Sequence, residues 1–242
     1  MKVYLVNLDR DKDRLAFADA QLKNLGVAYE RVSAVYGKDL SESQKRKAVD
    51  GFRWWCAVGR PCMPGEIGCA LSHRKVLQTI IDENLPVACV LEDDVVLDAR
   101  MPKMLKYLES HINSDEPAVY MLSHANQPIE SGTFCVESSI SALFTDGYVV
   151  TSSGARALLS VNYPIETPCD WWARWVRRGV IRLYQCIPTV CRQDFDGFAS
   201  NTEVSLKVGR VADLSLPLYF VHKVKRLVGK IIDGVLESLV RK

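Results

Sequence analysis

No stretch of the sequence reaches the roughly 20 consecutive apolar residues that a transmembrane helix needs, so the chain is expected to be soluble or to lie on a membrane surface. The first ten residues offer only the short apolar stretch Val3 to Val6 before Asn7, and no signal peptide is expected. An excess of one charge is also lacking. Thirty-one Lys and Arg stand against 29 Asp and Glu, for a net +2, which gives no reason to expect a nucleic acid partner. None of the eight cysteines pairs at the C-x2-C spacing of a zinc ribbon or redox motif, and several sit inside apolar runs. In a reducing cytosol they are expected to persist as thiols that pack like small hydrophobes. The alternative is a Cys56–Cys62 bridge around a loop. Internal repeats and low-complexity segments are absent as well.

What remains is an ordinary globular composition. With 242 residues and 48% hydrophobic content, the chain can bury a full core as one large domain or two small ones. Val3 to Val6 reads as a strand. A helix over about 11–25 follows, with Leu15, Ala18, Leu22 and Leu25 at helical spacing and Gly26 as its stop. Tyr29 to Val35 reads as a second strand, giving a β-α-β opening of the kind that begins a sheet flanked by helices. Between Ser41 and Gly65 the pattern turns irregular, predicting a long exposed loop with at most a short helix before it. Trp54 and Trp55 belong either to a functional loop or to the core. A helix from Gly65 to about Asn84 leads into Val87 to Leu91, an unbroken apolar run and hence a strand buried on both faces. Further strands are predicted at 118–122, 134–136, 147–151 and 182–187, and helices at 153–159 and 170–178.

The apolar run ends on Glu92-Asp93-Asp94. Three adjacent carboxylates cannot enter a core uncompensated, because burying each ionised group costs several kcal/mol. The carboxyl end of a buried strand is where open α/β sheets bind ligands. In an extended chain residues i and i+2 point the same way, so Glu92 and Asp94 can share one ligand, and oxygen donors of this kind suit Mn²⁺ or Mg²⁺. A solvated strand end or helix cap is the plain alternative. Arg10 and Arg14, one helical turn apart after the first strand, are placed to meet phosphates, unless they form a solvated helix face. His73 lies two turns along from Glu66 near one helix face, so both can approach a ligand; a hydrogen-bonded structural histidine is the other reading.

The run Glu66-Ile67-Gly68-Cys69-Ala70-Leu71-Ser72-His73, followed by Leu91-Glu92-Asp93-Asp94-Val95, resembles the signature of glycosyltransferase family 25. Four further blocks resemble the family in the same order. They are Asn7-Leu8-Asp9-Arg10 with Asp13-Arg14 and the strand ending at Gly37; Gly147 to Val150 with Gly154-Ala155; Pro168-Cys169-Asp170-Trp171; and Gln193 to Ser205. The resemblance covers about residues 1–205. It departs at Thr145-Asp146, where relatives tend to have Gly-Thr, which leaves the donor contacts there open.

The resemblance implies an α/β, GT-A-like fold with a Rossmann-like mixed sheet flanked by helices. It also implies a UDP-hexose donor and inverting transfer to a β-linked product. Donor contacts are then expected from Asn7, Leu8, Arg10, Arg14, Ser72, His73, Glu92 and Asp93, with Gln193 and Asn201 carried by resemblance alone. Glu92 and Asp94 are the expected metal ligands. One-step inversion needs a base for the acceptor hydroxyl. Asp170, beside the aromatic pair Trp171-Trp172, is the first candidate, unless it is a helix N-cap, and Asp196 is its rival, unless Asp196 instead completes the metal shell.

Residues 1–213 are expected to form the catalytic domain and 214–242 a basic amphipathic helix. From His222 onward the bases Lys223, Lys225, Arg226, Lys230, Arg241 and Lys242 face only Asp233 and Glu237. Such a helix can rest on an anionic membrane surface or dock on a protein. The expectation is a galactosyl-transferring, or else glucosyl-transferring, enzyme acting on a lipid-linked oligosaccharide of lipooligosaccharide or lipopolysaccharide type. It would be cytoplasmic and peripheral on the inner membrane. The rival classes are a metal-dependent phosphoesterase and a non-catalytic nucleotide-sugar or carbohydrate-binding module.

Overall fold

A computed structural model describes residues 1–124 and 128–194. Asp196, Asn201 and the expected helix over 214–242 lie outside the described residues. The chain opens with strand β1 (Lys2–Asn7), helix α1 (Lys12–Asn24) and strand β2 (Glu30–Ser33), with β1 and β2 parallel as a β-α-β unit requires. A 3-10 turn (Gly37–Asp39) and helices α2 (Glu42–Ala48), α3 (Gly51–Val58) and α4 (Pro64–Asp82) precede strand β3 (Val87–Glu92). Then come β4 (Val95–Leu97), α5 (Met101–His111), β5 (Ala118–Met121), β6 (Cys135–Ser139), β7 (Gly147–Thr151), α6 (Ser152–Leu159), α7 (Trp172–Arg177), β8 (Arg182–Ile187) and β9 (Cys191–Gln193).

Seven strands form one mixed sheet in the order β2-β1-β3-β7-β5-β8-β6. The pairs β2/β1, β1/β3 and β5/β8 are parallel; β3/β7, β7/β5 and β8/β6 are antiparallel. The period-2 alternation of side chains sends β1 and β3 into two cores at once. Val3, Leu5, Cys89 and Leu91 pack with α1 and with Met101, Met104 and Leu108 of α5. Tyr4, Val6, Ala88 and Val90 pack with Val76 and Ile80 of α4, Leu158 of α6 and Trp175 of α7. The apolar run before the acidic triplet is thus buried on both faces, as its composition predicts.

The 41–65 segment is not an exposed loop. Ser41 caps α2 in a reciprocal box with Gln44, each side chain hydrogen-bonding the other's backbone N–H. Asp50 accepts from the Arg53 N–H to start α3, and Gly59, at φ +83°, ends it. Trp54, 1% exposed, packs with Ile67, Ala70 and Ile165, so it belongs to a core. All eight cysteines are free thiols, which disposes of the Cys56–Cys62 bridge. The helix expected from residue 170 starts only at Trp172 with Trp171 in the cap position, so Asp170 is not its N-cap.

One close approach positions the site. An added Cβ on Gly37 would lie 1.7 Å from the Pro64 carbonyl oxygen, and one on Gly68 2.5 Å from that of Val35. Only glycines let the 3-10 turn lie directly on the first turns of α4.

Candidate active site

The carboxyl ends of the parallel neighbours β1 and β3 lie side by side, with Val6 opposite Glu92, and the antiparallel β7 brings Asp146 alongside. A two-stranded antiparallel ribbon, β4 with β9, sets Gln193 opposite Val95, and the Asp194 N–H donates to the Asp94 carbonyl at 2.7 Å. Four chain segments distant in sequence therefore meet at the acidic triplet, at the edge where open α/β sheets collect ligands.

Each carboxylate of the triplet has its own surroundings. Asp93 accepts from Asn7 Nδ2 at 2.6 Å and pairs with Arg14 at 3.2 Å. Asp94 pairs with Arg14 Nη2 and accepts from Gln193 Nε2 at 3.2 Å. Glu92 turns away from them. His73 Nε2 lies 3.1 Å from its Oε1, the same oxygen accepts from the Thr145 hydroxyl, and His73 Nδ1 lies 2.9 Å from the Tyr148 hydroxyl. Burial by itself would lower the His73 pKa, but hydrogen bonds to Cys69 and Glu92 outweigh it and push it up to about 10. Burial also pushes Asp93 up to about 6, against the pull of Arg14 and Asn7. Asp94 is raised by burial and by the nearby Glu92 charge. Negative charge thus exceeds what Arg14 and His73 neutralise.

Two cavities adjoin here and share Cys69, Glu92 and Gln193 as their partition. The first encloses about 720 Å³ open to solvent and is lined by the triplet, Asn7, Leu8, Arg14, Ser72 and His73, with Tyr36 and Lys38 on its rim turn. The second, about 620 Å³, is lined by Glu66, Phe144, Thr145, Asp146, Pro168, Cys169 and Asp170. Burial raises the Asp170 pKa, partly offset by the backbone N–H groups that face its carboxylate, including that of Phe144.

Most expected donor residues therefore meet in the first cavity. Arg10 does not line it; its guanidinium lies over the Tyr36 ring, 4.7 Å from the centroid. Glu66 lines the second cavity instead, held by both terminal nitrogens of Arg60 at 2.6 and 2.7 Å and capping α4 through the Met63 N–H. Ser72 accepts from the Val35 N–H at 2.8 Å and so ties the rim turn to α4. Asp146 is a site residue that composition and spacing do not single out. Burial pushes its pKa up to about 7, and its carboxylate accepts from Ser123 at 2.6 Å and from the Gly147 N–H.

A divalent cation fits the oxygen atoms present. Asp94 Oδ1 and Gln193 Oε1 are both buried without a hydrogen-bond partner, an expensive state for two acceptors on one cavity wall. Both side-chain hydrogen bonds to Glu92 fall on Oε1, and Glu92 lines the same cavity.

The family model described as "Glycosyltransferase family 25 (LPS biosynthesis protein)" matches residues 1–137, more than half of the chain, and takes in β1, α4 and the triplet. The chain belongs to glycosyltransferase family 25. Among similar proteins, Procollagen galactosyltransferase 1-B of Xenopus laevis is 31% identical over 174 residues, and Procollagen galactosyltransferase 2 of Homo sapiens is 31% identical over 177. Each match takes in 66% of this chain but only 28% of the relative, so the chain corresponds to under a third of those proteins' length. A Haemophilus influenzae protein is 24% identical over 216 residues, covering 86% of this chain and 76% of that protein. Among solved structures, a glycosyltransferase involved in glycosylation of the major capsid of PBCV-1 gives a TM-score of 0.33 at 8% identity, covering 66% of this chain and 65% of that one. That likeness is too distant to bear on the site.

Proposed function

We propose that the chain is an inverting glycosyltransferase that moves a hexose, galactose ahead of glucose, from a UDP-sugar to a hydroxyl of a growing lipooligosaccharide or lipopolysaccharide glycan. The observation that carries this reading is the pair of adjoining cavities. One gathers the acidic triplet with Arg14 and Lys38, as a nucleotide diphosphate requires; the other holds Asp170 beyond a shared wall, as a second substrate requires. Galactose is preferred because the vertebrate relatives are named galactosyltransferases. The lipopolysaccharide acceptor follows the family's description as lipopolysaccharide biosynthesis proteins.

Asp94, Glu92 and Gln193 would hold Mn²⁺ or Mg²⁺, which when bound neutralises the diphosphate charge and makes UDP a better leaving group. Arg14 and Lys38 supply fixed positive charge on the same wall. Arg14 is pre-set by its pairs with Asp93 and Asp94, so little ordering is needed when phosphate arrives. Asp170 takes the proton of the acceptor hydroxyl as it attacks. Trp171, about a third exposed beside it, offers a sugar-stacking face, whereas Trp172 is buried with its indole N–H on the Phe144 carbonyl at 2.8 Å.

A UDP-release assay with lipooligosaccharide acceptor tests the reading. UDP-galactose with Mn²⁺ should give the highest rate, UDP-glucose a lower one and UDP-N-acetylglucosamine the least, and EDTA should stop release. Silence with every donor under Mn²⁺ would refute it.

The basic segment after residue 213 is proposed to keep the enzyme at the anionic cytoplasmic face of the inner membrane, where a lipid-linked acceptor is displayed. Among the described residues no helix is long and apolar enough to cross a membrane. Truncation after Leu218 should release the protein from anionic vesicles in a sedimentation assay and spare transfer to a soluble sugar acceptor. Vesicle binding that survives the truncation would rule the segment out.

A further inference from the structure

We propose that Cys69, His73 and Glu92 form a zinc site on the partition between the two cavities, sharing the Glu92 carboxylate with the oxygen site of Asp94 and Gln193 but distinct from it in chemistry. The inference goes beyond the transferase reading and does not depend on it.

Cys69 and His73 are four residues apart on α4 and so share one helix face, and Glu92 meets them from the end of β3. One ligand atom from each, the Cys69 sulfur, a His73 ring nitrogen and a Glu92 carboxylate oxygen, lies within 4.8 Å of the others. Zinc bonds of about 2.0–2.2 Å to nitrogen and oxygen at a tetrahedral angle separate those two atoms by about 3.3 Å. His73 Nε2 and Glu92 Oε1 already stand 3.1 Å apart.

The surrounding hydrogen bonds suit a metal site. With His73 Nδ1–H donating to the Tyr148 hydroxyl at 2.9 Å, loss of the proton between His73 and Glu92 frees the Nε2 lone pair for the metal, and the Thr145 hydroxyl fixes the Glu92 carboxylate. Thiolate, imidazole and one carboxylate favour Zn²⁺ over Mn²⁺ or Mg²⁺. The Cys169 sulfur, 3.4 Å from that of Cys69, stands outside the three-ligand group. The fourth position is left to water from the cavities that Cys69 and Glu92 line. Binding displaces the Cys69 thiol proton and the proton held between His73 and Glu92, both passing to solvent.

Cobalt titration of the full-length, metal-free protein tests this without any sugar donor. Co²⁺ should produce one thiolate-to-metal charge-transfer band per chain, and Zn²⁺ should bleach it. Cys69→Ser should abolish the band and His73→Gln should weaken Co²⁺ binding at least about tenfold. Asp94→Asn and Cys169→Ser should each retain it. Far-UV circular dichroism confirms that each variant is folded, and a variant that fails to fold is replaced by Cys69→Ala or His73→Asn. No band in the wild-type protein, a band that survives loss of the Cys69 thiol, or a band lost with Asp94→Asn or Cys169→Ser in folded protein would each overturn the proposal. Because neither donor nor acceptor is present, an inactive transferase would leave the result unaffected.

Discussion

Asp94→Asn is expected to lower sugar transfer by about 10²–10³-fold, the size of effect that follows loss of one preorganised group acting on developing charge. The substitution keeps the shape and the acceptor oxygen but removes the charge that a cation needs. It should not unfold the protein. Asp94 is buried, its carboxylate is pushed towards its neutral form by burial and by Glu92, and Arg14 keeps its pairing with Asp93. Neutralising a carboxylate whose charged form is disfavoured by burial and a like charge need not cost stability while its cationic partner keeps a second carboxylate, a trade-off familiar at functional sites. The thermal midpoint of the variant should therefore equal or exceed that of the parent while the rate collapses. UDP-sugar turnover with saturating Mn²⁺ decides the matter. A variant within threefold of the parent would remove Asp94 from the cation site and leave its unpartnered Oδ1 without a role.

The setting of Asp94 is only half legible in the sequence. The apolar run before Glu92 predicts a doubly buried strand, and that holds; an acidic strand end in that setting predicts a ligand site, and the triplet lines a cavity there. Alternation along a strand, however, would put Glu92 and Asp94 on one side. The strand stops at Glu92 and the chain turns, so Glu92 faces His73 while Asp94 faces Arg14 and Gln193. What turns it is the β4–β9 ribbon, two three-residue strands 98 positions apart at their Val95–Gln193 register. Such short, distant pairings carry no periodicity of their own. The Cys69–His73 spacing is readable as one helix face, but the approach of Glu92 to it depends on how α4 lies across the sheet. Other gaps are local and the signals are there. Met101, Met104, Leu105 and Leu108 have helical spacing around Pro102 at the helix start, and Ser41 with Gln44 is a capping box. Asp146 is the opposite case. Its residue type suggests a solvated turn, and only its burial beside Ser123 makes it part of the site.

Asp170→Asn should reduce transfer by about 10²–10⁴-fold, the range that a positioned general base supplies, while donor affinity stays within about twofold. The two effects separate because Asp170 lines the second cavity and not the first. The pH profile carries the more specific signature. A base works only when deprotonated, so kcat/KM must rise with pH through the pKa of Asp170 and level off above it. Burial raises that pKa above the ordinary value of 3.8, and the charges of Glu92 and Glu66 raise it further; Asp146, which also lines the cavity, is itself pushed up to about 7. The acid limb of the parent enzyme should accordingly lie above the range of a solvated aspartate. In Asp170→Asn the residual rate should lose that limb, whereas Asp146→Asn should retain it. Asp196 is the competing base, and the same measurement separates the two. If Asp196→Asn removes the limb and costs the rate while Asp170→Asn stays within threefold of the parent, the proton goes to Asp196, and the second cavity positions the acceptor without taking its proton.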